Sequence, residues 1–253
     1  MSLHLVFLGV GSAQAVELGS SNAVIERDDV PLLMIDCGPE GLSAFIDRYA
    51  STPDALFITH AHMDHVAGLE RLFYRVYFDP ARRGRVRLYV PIGVIGVLHD
   101  RLATYPNAIA EGSGNFWDAF QVIPVLRGFW HAGLWFDTFA VRHHSPGSAF
   151  AIGLRNAMVW TGDTRPIPEL LSHYGSGREL IAHDCTLHGN PSHTGIDDIE
   201  REYPPALRQR LVLYHYGSLA DGEALRARAP RVATTGERIE LGAYEPAADA
   251  GRG

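Results

Sequence analysis

Residues 55–65 read ALFITHAHMDH, an apolar run that ends in three histidines and an aspartate within six residues. A short run of this kind, bounded by polar residues, is a buried strand. Side chains two apart on extended chain point the same way. His60 and His62 therefore face one point in space, and after a turn Asp64 and His65 can face a second. Imidazole and carboxylate suit zinc, and also iron or manganese. A polar loop that is merely rich in histidine does not account for so many ligand-type residues at a strand end.

The same pattern recurs along the chain. Apolar runs predict strands over 3–11, 23–27, 32–38 and 86–91, and helices over 39–50, 66–78 and 94–105. In the first of these helices Leu42, Phe45, Ile46 and Tyr49 share one face. Further strands are predicted over 120–125, 136–144, 149–154, 157–163, 180–184 and 211–217, with short helices near 167–174, 196–203 and 219–228. Strands alternating with helices suit a layered α/β sandwich with the helices outside. Three more strand ends carry ligand-type residues: His143-His144 before Ser-Pro-Gly, Asp163 within Thr-Gly-Asp-Thr, and His215 within Tyr-His-Tyr-Gly. Rigid strands position what such loops present.

Composition bounds the rest. A chain of 253 residues with 46% hydrophobic residues supports one core, read as a single domain over 1–245 with a disordered tail over 246–253. The formal net charge of −7 argues against a broad electrostatic grip on nucleic acid. Two cysteines, Cys37 and Cys185, are too few for a disulfide framework and read as buried thiols. No basic leader and no apolar run of membrane length is present, so a cytoplasmic protein without a membrane partner is expected.

The ordered series of strand-end motifs resembles the metallo-β-lactamase superfamily. HAHMDH matches its HxHxDH signature and TGDT its bridging-aspartate motif, and the likeness runs over residues 3–217. The resemblance implies a four-layer αββα sandwich and two divalent metal ions, zinc foremost, with manganese or iron(II) as alternatives. By it, His60, His62 and His143 would hold the first ion, Asp64, His65 and His215 the second, and Asp163 would bridge them. Strand alternation through Phe139 and Val141 selects His143. His144-Ser-Pro-Gly resembles the glyoxalase II pattern and keeps His144 as the alternative.

Within the superfamily, Asp184, His193 and His215 are spaced as in ribonuclease Z-like proteins. The pair Asp184-Cys185 resembles the phosphodiesterases associated with the carbon–phosphorus lyase pathway. The basic loop of ribonuclease Z and a tRNA-clamping arm are missing, so RNA is not the favoured partner. The resemblance thus implies a binuclear metal-dependent hydrolase, a phosphodiesterase acting through two-metal-activated hydroxide on a small or nucleotide-like phosphodiester or an RNA end. Asp64 would orient the hydroxide, and His193, steered by Asp184, would give a proton to the leaving oxygen. Ester, thioester or lactone hydrolysis is the alternative, and an iron-bearing redox protein a further one. A homodimer is compatible with all of these.

Weaker features read as structure. Arg82, Arg83, Arg85 and Arg87 are taken as a solvated turn rather than a phosphate grip. Phe116, Trp117, Phe120, Phe129, Trp130 and Trp135 are taken as core rather than a nucleobase pocket, although neither close relative explains residues 73–136. His131 reads as a satisfied structural histidine, and His188 has only its place before His193 to connect it with the site. Gly9 and Gly11 lack the lysine and helix start of a phosphate loop.

Overall fold

Alternation along the strands decides the architecture. In β1 (Leu3–Gly9) the residues Leu5 and Phe7 belong to one buried cluster, and Val6 and Leu8 to another. A strand buried on both faces lies inside a layered structure. This computed structural model describes residues 2–104, 109, 112 and 114–244, and the tail over 246–253 lies outside them.

The first half runs β2 (Asn22–Arg27), β3 (Val30–Ile35), α1 (Gly41–Tyr49), β4 (Ala55–Phe57), α2 (Met63–Val66), α3 (Gly68–Tyr77), β5 (Val86–Pro91), α4 (Ile92–Leu98) and β6 (Phe120–Val125). The second half runs β7 (Gly128–His131), β8 (Leu134–Ala140), β9 (Phe150–Leu154), β10 (Met158–Trp160), α5 (Pro168–Tyr174), β11 (Leu180–Asp184), α6 (Ile196–Glu202), α7 (Pro205–Arg208), β12 (Leu211–Tyr214), α8 (Leu219–Arg226) and β13 (Arg238–Glu240). One sheet has the order β13-β1-β2-β3-β4-β5-β6 and the other β12-β11-β10-β9-β8-β7. Strands β3 to β6 are parallel, as are β10 to β12. Parallel neighbours bring several strand C-termini to one edge, where α/β proteins place their sites.

Between the sheets, Phe7, Ile25, Ile35 and Phe57 meet Phe136, Ile152, Trp160 and Tyr214. The rings of Trp160 and Tyr214 stack at 4.0 Å. On the far side of the first sheet, Val24, Met34 and Leu56 pack on Leu42 and Phe45 of α1 and Leu69, Leu72 and Phe73 of α3. Leu171, Ile196, Ile199 and Leu207 bring α5 to α7 against the second sheet. The protein is thus the expected α/β sandwich, helices outside and sheets inside.

Several boundaries differ from the sequence reading. The strand that opens at Ala55, expected to run to His60, stops at Phe57, because the Thr59 N–H leaves the ladder for the Asp36 carboxylate. The strand predicted over 136–144 ends at Ala140, where the chain turns towards Ser145-Pro146-Gly147. The helix predicted over 94–105 begins at Ile92 and passes into a π-turn at His99–Ala103. Strands β7 and β13, of four and three residues, were not predicted; segments so short carry little periodicity.

The weaker features resolve as structure. Phe116, Phe120 and Phe129 are core and Trp117 and Trp135 are half-buried, but Trp130, read as core, is exposed on the edge strand β7; Arg82 pairs with Asp54 at 2.5 Å. His131 lies between the Tyr89 hydroxyl and the Leu32 carbonyl, each at 3.0 Å. Both cysteines are buried and free. Among the described residues no helix is long and apolar enough to cross a membrane.

Candidate metal centre

The residues picked out by the sequence meet at the C-terminal edges of the two sheets. The loop after β4 brings His60 and His62, and α2 brings Asp64 and His65. Gly38 lets α2 approach the loop after β3: a Cβ there would lie 2.0 Å from the Asp64 carbonyl. The second sheet supplies His143 after β8, Asp163 after β10, Asp184 at the end of β11 and His215 after β12. The donor atoms of His60, His62, His143 and Asp163 lie within 4.8 Å of one another, as do those of Asp64, His65, Asp163 and His215. Asp163 belongs to both sets.

The ring nitrogens point in a fixed sense. Asp36, fully buried at the end of β3, accepts from the Thr59 N–H and hydroxyl, each at 2.7 Å, and from His65 Nδ1 at 2.8 Å. The Thr59 hydroxyl has one proton and gives it to Asp36, so it accepts from His60 Nδ1 at 3.0 Å. His143 Nδ1 donates to the Ser192 carbonyl at 2.9 Å. Each hydrogen bond turns Nε2 towards the cluster, where the neutral ring offers a lone pair. His60 Nε2, His65 Nε2, His215 Nε2 and Asp163 Oδ1 are buried without a hydrogen-bond partner. Buried polar atoms are rarely left so, and four converging on one spot fit a cation.

The charges at the cluster fall into two groups. Burial, followed by the neighbouring His65, holds His60 well below its ordinary range. Burial and then His143 bring His62 to about 4. Asp163 lies well below the usual carboxylate range: burial pushes it up, but His215 and His65 pull it further down. These are the protonation states a metal ligand needs. Burial lowers His65 and His215 as well, but Asp163 and Asp36 carry His65 well above its ordinary range, and Asp163 and Asp184 carry His215 up to about 10; a cation among these carboxylates would displace both protons.

His144 lies outside both sets. Its ring is exposed, 4.2 Å from that of His143, on backbone at φ 50°. The strand that selected His143 ends at Ala140, yet inward and outward alternation of burial persists through residues 139–144. Beside the cluster, His193 Nδ1 donates to Asp184 Oδ2 at 2.9 Å, and the Thr164 N–H donates to the same oxygen at 2.8 Å. Burial lowers the His193 imidazole, but the bond to Asp184 and its charge raise it overall. The Asn190 side chain accepts from the Ser192 and His193 N–H groups and fixes this loop.

Sequence reasoning passed over Asp36, Thr59, His183 and Tyr203. The signal for Asp36 was present: a carboxylate ending the apolar run LLMI has no solvent to face. His183 Nδ1 donates to the Asp184 carbonyl at 2.7 Å, so its Nε2 accepts from the Tyr203 hydroxyl at 2.7 Å. Nothing in the sequence pairs these two. His188 is exposed and outside the cluster.

A cavity of about 330 Å³ opens on the cluster, lined by Ser12, Gln14, Asp64, Thr186, Asn190 and His193 among others. A second, a slot of about 250 Å³ between α4 and residues 143–148, is lined by His60, His62 and His143.

Comparison with known proteins places the chain. The family model described as Anti-Pycsar protein Apyc1 matches residues 3–238. The chain belongs to this family. A member from Paenibacillus xerothermodurans is 28% identical over 226 residues, covering 85% of this chain and 88% of that protein. Another, from Bacillus phage 010DV004, is 26% identical over 262 residues, covering 95% and 99%. Among solved structures, one titled a new diphosphatase from the PhnP family superposes with a TM-score of 0.74 at 17% identity, covering 96% of this chain and all (100%) of that one. The human short-form tRNase Z gives 0.62 at 18% identity, covering 93% and 98%. Zinc-bound PqqB from Methylobacterium extorquens gives 0.66 at 15%, covering 93% and 99%. The fold is that of the metallo-β-lactamases, and the neighbours include the ribonuclease Z and PhnP proteins expected from the sequence.

Proposed function

We propose that the protein hydrolyses small, nucleotide-like phosphodiesters, including cyclic ones, with two divalent cations, zinc foremost. The observation that carries this reading is the pair of donor sets sharing Asp163, with a carboxylate-held imidazole beside them. His60, His62, His143 and Asp163 would hold one ion, and Asp64, His65, Asp163 and His215 the other. Bound there, two cations supply Lewis acidity and a nucleophile at neutral pH.

The chain's own residues do the rest. Asp64 is the most exposed carboxylate of the cluster, with 14% of its side chain accessible, and lines the larger cavity. It is placed to orient an attacking water and accept its proton. His193 lines the same cavity, and Asp184 favours its imidazolium form. The proton on Nε2 is then available to the oxygen that leaves phosphorus, which would otherwise depart as an alkoxide.

Size and charge favour a small substrate over a polynucleotide. The cavity of about 330 Å³ is at the lower end of the range for small-molecule sites, and the net charge is −7. Relatives of the fold titled a diphosphatase and a tRNase support phosphoryl chemistry. The ester or lactone alternative leaned on the His144 register, and that ring is exposed.

The test is elemental analysis together with a substrate panel on metal-replete protein. Two ions per chain are expected, with turnover of a nitrophenyl phosphodiester well above that of a thioester, lactone or β-lactam. A single ion after reconstitution would remove the binuclear centre, and a preference for thioester or lactone would replace the substrate class.

A further inference from the structure

Behind the cluster runs a series of buried hydrogen bonds that belongs to neither donor set. The Tyr203 hydroxyl accepts from the Ile167 N–H at 2.8 Å, so its own proton goes to His183 Nε2 at 2.7 Å. The His183 ring then carries its proton on Nδ1 and donates it to the Asp184 carbonyl at 2.7 Å. Burial draws this imidazole below its ordinary range against the pull of that carbonyl, so the ring is neutral. Three bonds thus point one way, from Ile167 through Tyr203 and His183 to Asp184, and bonds so aligned strengthen one another. All four residues are buried.

Both ends of this strut reach the site. Ile167 closes the loop that begins at Asp163, the residue common to the two donor sets. Asp184 receives His193 on Oδ2, and its N–H donates to Thr161 Oγ1 at 3.2 Å. Tyr203 caps the C-terminus of α6, and the segment leading into the N-terminus of that helix carries His193. Thr194, next to His193, gives its N–H and its hydroxyl to the Thr164 carbonyl, at 3.0 Å and 2.7 Å. The loop of Asp163 and the loop of His193 are therefore tied at both ends of α6. An apolar pair would fill the place of Tyr203 and His183 without the cost of burying a hydroxyl and an imidazole. What the polar pair adds is a fixed direction and length.

We propose that Tyr203 and His183 are positioning residues for proton donation: the strut they form sets where Asp184 and His193 stand relative to Asp163, and with it whether the His193 proton meets the leaving oxygen. The proposal rests on the phosphodiesterase reading. Neither residue lines the larger cavity, so both act through the Asp184 main chain and through α6.

Tyr203→Phe removes one oxygen and keeps the ring. In metal-replete protein, kcat should fall about 10–100-fold on an alkyl phosphodiester, whose leaving oxygen needs a proton. It should change little on a nitrophenyl ester, with KM and metal content at wild-type values. His183→Asn keeps an amide near the place of Nδ1 but cannot reach Tyr203. It should show the same pattern, and it carries the test alone if Tyr203→Phe does not fold. Combined, the two substitutions should add nothing to either one, because they break a single unit. Equal losses on both esters, lost metal or additive losses would reduce the pair to core packing and overturn the proposal. Nitrogen NMR of labelled histidines in zinc-loaded protein reads the same point without turnover. The His193 Nδ1–H signal should shift or broaden in Tyr203→Phe, and an unchanged signal would overturn the proposal. A wild-type protein that hydrolyses neither ester, yet whose His193 signal responds to Tyr203→Phe, would keep the strut and remove the phosphodiesterase reading.

Discussion

Asp36 and Asp184 invite comparison. Both are fully buried, both end a strand with a parallel neighbour, and each holds the Nδ1 of a histidine, at 2.8 Å and 2.9 Å. They differ in what remains free. Asp36 has both oxygens engaged, and its histidine, His65, is wholly buried. Burial pushes its carboxyl up against those donors. Asp184 turns Oδ1 towards His215 Nδ1 at 3.4 Å, and the histidine on its other oxygen, His193, is 20% accessible in the cavity. Burial opposes ionisation here too, but His215 and then His193 carry Asp184 below its ordinary value. On the proposed function, the same pair serves once as scaffold and once as a device for handling a proton. Exposure of the imidazole, not the contact between the residues, separates the roles.

The sharpest way to break this comparison is at His193. His193→Ala should cost about 10²–10⁴ in rate on esters with poor leaving groups and little on nitrophenyl esters, whose oxygen needs no proton. Metal content should stay at the wild-type value. Equal losses on both ester types would remove the proton donor, and lost metal would move His193 into the ligand shell, which its place in a third donor set with Asp163, Asp184 and His215 allows. Asp36→Asn should behave otherwise. Its amide would turn a donor towards Thr59 or His65, and metal affinity should fall about 10–100-fold, with the loss of rate independent of leaving group. A dependence on leaving group in this variant would collapse the distinction.

The smallest effect comes from a third carboxylate, remote from the cluster. Glu179 accepts from the N–H groups of Asn156, Ser176, Gly177 and Arg178. Burial pushes it up, but the hydrogen bonds from Ser176 and its neighbours hold it at about 2, against an ordinary 4.5. Because its folded value is depressed, its contribution is complete above pH 4.5 and is lost as pH falls towards 2. Glu179→Gln should lower stability by about 1–2 kcal/mol at neutral pH with activity intact. In thermal unfolding followed against pH, the gap between the two proteins should close across that acid window. A constant gap would mean that the charge contributes nothing.

Much of this was legible from strand ends. Apolar runs stopping at His60, His143, Asp163, Asp184 and His215 located the edge of both sheets, because a buried strand can stop on a polar side chain only where a cleft or a partner receives it. Asp36 shows the limit of that reading. It ends such a run too, but its partners are Thr59 and His65, more than 20 residues away, and only the parallel pairing of β3 with β4 brings them together. The link from Tyr203 to His183 depends in the same way on where α6 and β11 meet. The slot beside α4 was hidden because Val94 and Val97 look like any helix stripe until the close approach of Gly93 to the Gly147 carbonyl supplies the second wall.

The division of the cluster between the sheets has a consequence for how the chain holds together. His60, His62, Asp64 and His65 come from one stretch of the first half, while His143, Asp163 and His215 come from three separate strand ends of the second. Across that seam near the site run the Phe150 N–H to the Thr59 carbonyl at 3.0 Å, the His215 N–H to the Val10 carbonyl at 2.7 Å and the Ser12 N–H to the Tyr216 carbonyl at 3.1 Å. An ion held by both halves is a clasp closed only when they dock, so its binding energy adds to the stability of the docked state and of no other. Chelation would then do more than stop turnover: it would loosen the seam, and the melting temperature would report the loss before any substrate was added.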